Sequence, residues 1–353
     1  MSLFQTSSQT LLGSMNDWIQ HRKARRQAEQ QEEAAILAAI DRVVEAADPR
    51  IKLVSRYQQK LRQAVKHALQ YIDELVVQIP GPIEINRKTW LTDPYVNAFF
   101  ATADEVQTVF SRTPELRRFF EQHRPTECYA GLAMTRHERK VLGMQLSGDV
   151  IQREVPQLTV SFVKHRLGIP AATETETRME MKRLALNFLV TQALQRILSW
   201  RTQRENLQKE QQILQLKIRI LQTKQRSLES LSHEGEDTTS QLKSFQQKLA
   251  ENKENLQEVN VHIDELDDYV DHLNDILGHA EDYLAIDRIS MKLNRLGVKL
   301  EQNSTELGSD LDLPEFVGGN QIRRIIALVK YPREEMLSLE ELYLRAGRYL
   351  TAL

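Results

Sequence analysis

Cysteine is nearly absent from this chain. Cys128 stands alone among 353 residues, so no disulfide can close within one molecule and no thiolate zinc site can be assembled from it. A surplus of charge is also missing. Lys and Arg number 47 against 49 Asp and Glu, for a net charge of -2. A general nucleic-acid binder carries a basic excess, so the balance argues against one while leaving room for a local basic patch. No apolar run reaches the roughly 18 residues that span a bilayer. The opening residues lack the basic-then-apolar order of a secretory signal. The composition therefore reads as a cytoplasmic protein, in which Asn303-Ser304-Thr305 has no meaning as a glycosylation sequon.

Catalytic motifs are absent as well. There is no Gly-rich phosphate loop, no Gly-x-Ser-x-Gly elbow and no His-Glu-x-x-His. His123, Cys128, His137 and His165 fall in one stretch and could converge, but a free cysteine is most often a small core residue. Glu174, Glu176 and Glu180 read as the acidic start of a helix. Asp264, Asp267, Asp268 and Asp271 lack the turn glycine and closing glutamate of a calcium loop. The sequence thus supplies no catalytic residue, no cofactor and no metal ligand.

Helical periodicity is abundant. Leu11, Leu12, Met15, Trp18 and Ile19 fall on one helix face, and a basic cluster with Arg22, Lys23, Arg25 and Arg26 follows at once. An apolar face next to a polybasic tract suits a partner's groove or an anionic membrane surface. The plainer reading is a helix that folds onto its own chain or stays disordered. Residues 1–26 are this segment. Residues 27–79 form a helical pair, broken at Asp48-Pro49 and ended by Pro80-Gly81-Pro82. Its second stripe runs Leu53, Val54, Tyr57, Leu61, Val65, Ala68, Leu69, Ile72 and Val76.

Residues 80–175, joined by 315–353, are expected to make a discontinuous α+β base. Helices begin at Asp93-Pro94 and run on over 104–122. Short strands follow at 129–134, 141–146 and 158–163, with a charged turn at 136–140. The strand at 322–331 has no strand close to it in sequence, and a lone strand is unstable. It is therefore expected to pair with those earlier strands. Ser338 caps a last helix.

The strongest signal spans residues 182–286. Leu186, Val190, Ala193, Ile197, Trp200, Arg204, Leu207, Gln211, Leu214, Ile218, Leu221, Gln225 and Leu228 repeat every 3.5 residues. After a polar break at 233–240, Leu242, Phe245, Leu249, Asn252, Leu256, Val259, Ile263, Leu266, Val270, Leu273, Leu277, Ala280 and Leu284 do the same. Arms of similar length, one basic and one acidic, predict an antiparallel coiled-coil hairpin about 65 to 70 Å long. Folding at 233–240 sets Leu214 near Val259, Trp200 near Leu273, and Leu221 and Gln225 near Asn252. The hairpin and a following helix (Ile289, Leu293, Leu296, Leu300) occupy 176–303, and 304–319 is an acidic linker.

The fold class expected is mainly α, with a small α+β base holding a small antiparallel sheet and the hairpin inserted in a discontinuous domain. The function expected is a non-enzymatic coiled-coil interaction or scaffold protein that presents a stiff arm to a protein partner. The alternatives are a peripheral membrane or nucleic-acid-associated adaptor anchored by the N-terminal segment, and an enzyme with a pocket in the base.

Overall fold

The computed structural model describes residues 6–147, 150–228, 235–262, 265–301, 304, 306–319 and 322–351. In chain order the helices and strands are α1 (Thr6–Ala47), α2 (Tyr57–Val77), β1 (Ile83–Glu84), α3 (Arg87–Thr92), α4 (Pro94–Phe99), α5 (Ala103–Ser111), α6 (Pro114–His123), β2 (Glu127–Ser147) and β3 (Val150–Leu167). There follow α7 (Glu174–Leu228), α8 (Gly235–Asn260), α9 (Leu266–Gly278), β4 (Leu284–Leu293), β5 (Lys299–Leu300), β6 (Ser309–Gly318), β7 (Ile322–Pro332) and α10 (Leu339–Thr351). The class is α+β. Two units divide the chain, one drawn from 1–68 and 189–279, the other from 69–188 and 280–353. Among the described residues no helix is long and apolar enough to cross a membrane.

The first unit is helical. The N-terminal apolar stretch, the basic cluster and the Ala-rich stretch form one helix, α1. It ends where Asp48-Pro49 requires: Asp48 turns extended and accepts from the Arg50 backbone N–H at 2.9 Å. The Arg50 guanidinium clasps the same carboxylate at 2.6 Å and holds Asp48 below its ordinary range. α1 and α2 run antiparallel, tied by Glu32–Lys66 at 3.0 Å, by Glu33–Arg62 and by the Tyr57 hydroxyl donating to Asp41 at 3.3 Å. Ile40, Val43 and Val44 of α1, Leu61 and Val65 of α2, Val190, Ala193 and Ile197 of α7, and Val270, Leu273 and Ile276 of α9 are buried.

The second unit is built on a seven-stranded sheet of order β3-β2-β7-β6-β4-β5, antiparallel along that path, with β1 parallel to β7. The strand at 322–331 pairs with the strand at 127–134 across the intervening helices: Glu127 faces Pro332 and Met134 faces Ile325. Alternate residues of the strands (Cys128, Ala130, Leu132 and Met134 of β2; Ile325, Ala327, Val329 and Tyr331 of β7) enter one core with Phe99, Phe100, Phe110 and Leu116 from α4, α5 and α6. Tyr331 stacks on Phe110 with centroids 4.3 Å apart. On α7, Phe188 meets Phe316 edge to face. Gly297, at φ +75°, lets the β4–β5 turn approach β3, where the Val160 N–H donates to its carbonyl at 2.8 Å. A Cβ there would lie 2.7 Å from the Val160 oxygen.

Several expectations need correction. The charged stretch 136–140 is no turn but the middle of β2, which pairs with β3 as far as Ser147 opposite Val150. Arg136, Glu138 and Lys140 alternate with the other residues and so fit an extended ladder. The helix expected over 104–122 is two, broken at Pro114. Residues 284–300 are strands rather than a helix. Ile289, Met291 and Leu293 alternate with Arg288, Ser290 and Lys292, and a stripe drawn at helical spacing passes over Met291. The acidic linker at 304–319 contains β6, where Asp310 and Asp312 alternate with the buried Leu311 and Leu313. Its Asp and Pro content masked a strand. α10 begins as foreseen: Glu341 N–H donates to Ser338 Oγ at 3.2 Å, and Ser338 N–H to Glu341 Oε2 at 2.8 Å.

Candidate interaction surfaces

α7 and α8 carry the surface with the clearest construction. On α7 the less exposed positions beyond the helical core are Arg204, Leu207, Gln211, Leu214, Ile218 and Leu221. On α8 they are Leu242, Phe245, Leu249, Asn252, Leu256 and Val259. These are the seam residues read from the repeat. Their partners differ from expectation. Asn252 Nδ2 donates at 3.2 Å to both the Leu207 carbonyl and Glu210, Lys217 sits over the Phe245 ring at 5.3 Å, and Trp200 stacks on His262. Asn252 therefore lies opposite Leu207, away from Leu221 and Gln225, and residues 235–240, expected as the polar break, are the first turns of α8. Toward the other end α8 stops at Asn260 and α9 starts at Leu266, and beyond that interruption Arg196 pairs with Asp275 and Arg201 lies over Tyr269. The helix beside the middle of α7 is α8, whose 26 residues span about 39 Å, and α9 belongs with the core helices.

A second apolar set on α7 escaped the sequence reading. Ile213, Leu216 and Ile220 are 53%, 56% and 58% exposed. At about 100° per residue they lie roughly 150° around the helix from the seam. The signal was in the run ILQLKIRIL, which holds more apolar residues than one seam can use.

The N-terminal candidates are divided. Leu11, Leu12, Met15, Trp18 and Ile19 lie on α1, but their side chains are outside the described residues. Arg22, Lys23, Arg25 and Arg26 are exposed, and Arg25 pairs with Glu29 at 3.0 Å.

Most of the remaining candidates are engaged within the fold. Cys128 is buried, and burial pushes its thiol up to about 12. The His165 ring meets the Phe99 carbonyl at 2.8 Å and stacks on Phe100. His123 stacks on Phe119, and His137 is exposed on β2. The four do not gather. Glu174 pairs with Arg178, Glu176 accepts from the Ala172 N–H, and Glu180 pairs with Arg183. Asp267 pairs with Lys60 at 2.8 Å and Asp268 accepts from the Glu265 N–H, whereas Asp264 lies outside the described residues. Among the described residues no cluster could hold a metal ion.

One charged group was missed. Glu315 of β6 is 2% exposed, although it looked like a linker acid. It is held by Arg323 at 2.7 Å and Arg136 at 3.6 Å, which in turn reach Asp287 and Glu138. Four strands contribute, so no local spacing could disclose it. Arg323, 55% exposed on β7, is a partner of this carboxylate. Lys330 likewise bridges Glu84 and Glu127. No protein-family model, curated protein or solved structure matches this chain.

Proposed function

We propose that this is a non-enzymatic interaction or scaffold protein in which α7 and α8 form an antiparallel coiled-coil hairpin, presented as a stiff arm to a protein partner. The observation that carries the reading is the seam: its positions at alternating three- and four-residue spacing are shielded, and the other positions of 202–224 on α7 and 241–258 on α8 are exposed. A single seam asparagine bonded across the pair is a device that fixes register, which matters for an arm that must hold its shape. The histidines and the cysteine that invited an enzymatic reading are largely taken up in packing and backbone contacts. The test is affinity purification of the full chain from its native cell beside a variant lacking 206–256, its stumps joined by a Gly-Ser turn. A partner held by the first and lost from the second supports the arm. An unchanged partner set rejects it.

A peripheral anchor through α1 is the second reading, favoured by the outward placement of Arg22, Lys23, Arg25 and Arg26. Sedimentation with anionic vesicles, binding to duplex DNA, and loss of either on removing residues 1–26 or adding salt would support it. An intact chain that neither sediments nor binds DNA would retire it.

A further inference from the structure

The exposed set on α7 is an apolar stripe that α8 does not cover. Ile213, Leu216 and Ile220 follow the i, i+3, i+7 pattern of a docking stripe, and each is more than half exposed beside a seam that is already closed by α8. Their surroundings have one sign. Lys217 and Lys224 border the stripe on one side, Arg219 on the other, and Lys209 stands in line with it one turn earlier. All four are exposed, and among the described residues none forms an ion pair, although Lys217 also lies over the Phe245 ring of α8. Glu210, the one acid in 209–224, is engaged by Asn252.

We propose that this stripe docks an amphipathic helix of a partner protein, with apolar residues on its contact face and Asp or Glu on both flanks. The proposal rests on the arm reading above and specifies the partner's chemistry. An apolar stripe three and four residues apart accepts the same spacing from a facing helix. Flanking cations select acidic flanks, since unlike charges across a helix pair favour association and like charges oppose it. The same argument disfavours a second copy on the stripe, because stripe against stripe would set Lys217, Arg219 and Lys224 against themselves.

The test uses a fluorescent peptide of about four heptads with Leu or Ile at the a and d positions and Glu at e and g, and a matched peptide with Lys at e and g. Anisotropy is read against the full chain. The Glu peptide should bind at least about tenfold tighter than the Lys peptide, and salt should narrow the gap. Ile213→Gln with Leu216→Gln and Ile220→Gln should weaken the Glu peptide about tenfold or more. Lys217→Glu with Arg219→Glu and Lys224→Glu should invert the preference, a readout that misfolding cannot mimic. Glu-peptide binding that is undetectable, or indifferent to both variants, overturns the proposal. A dimer in sedimentation equilibrium that the glutamine variant dissolves also overturns it, by giving the stripe to a second copy. If the peptide fails while native partner capture still needs 206–256, the stripe falls and the arm stands. If capture never needed those residues, the arm itself falls.

Discussion

Cys128 and Glu315 show how little a residue's type says about its use. Cys128 is 1% exposed in the core of the sheet unit, and desolvation raises its thiol to about 12. Almost no thiolate then exists at about pH 8, and the thiolate is the reactive form. The native chain should resist iodoacetamide at that pH and react fully in denaturant. Rapid labelling without denaturant would contradict the placement. Its core role was readable, because a lone cysteine in an apolar stretch is usually core. Glu315 was not readable, since its partners come from distant strands. Arg136→Met with Arg323→Met would leave this carboxylate buried without a cation, at a cost of about 3 kcal/mol. Glu315→Leu leaves two arginines that are 25% and 55% exposed and can turn to water, so it should cost less than half as much. Urea denaturation of both variants decides it, and equal losses would show that the carboxylate is not sequestered. β3 adds a further case. Lys164 sits at φ +56° beside a register shift in the β2–β3 ladder, a conformation costing a non-glycine residue on the order of 1 kcal/mol. Lys164→Gly should not destabilise the chain, and a lower melting temperature would assign the lysine side chain an unseen role.

At the scale of elements, the helices were legible and several strands were not. The α7–α8 seam residues came straight from the repeat, because a shielded stripe at constant spacing leaves a periodic trace whatever it packs against. The start of α8 did not. Gly235 and the hydroxyl and acidic residues after it suit a helix start as well as a loop. β6 was lost because Asp, Ser and Pro between its four apolar residues imitate a linker, and β4 because its six apolar residues in ten also fit a helical stripe. The seam itself can be tested. Leu214 and Val259 are 5% and 2% exposed, so Leu214→Asp or Val259→Asp sets a charge in the apolar seam, with a loss on the order of 3 kcal/mol. Circular dichroism melts should show early loss of helix in either variant. Melts that overlay the parent would remove the pairing.

At the scale of the whole molecule, the chain leaves the sheet unit within α7, after Phe188, and returns to it at Ala280, just before β4. β7 closes the topology by pairing with β2. That return was foreseeable from one fact, the need of an isolated C-terminal strand for a neighbour. The larger sheet was not, because β4 and β6 were unseen. The central claim is that the arm of α7 and α8 meets a protein partner. The most direct measurement is site-specific photocrosslinking in the native cell. A photoreactive side chain would replace Gln212, Gln222 or Gln246 on the arm, and Glu121 or Lys299 elsewhere. The account predicts adducts with one partner from the arm positions and none from the other two. A partner that crosslinks only through Glu121 or Lys299 would contradict it.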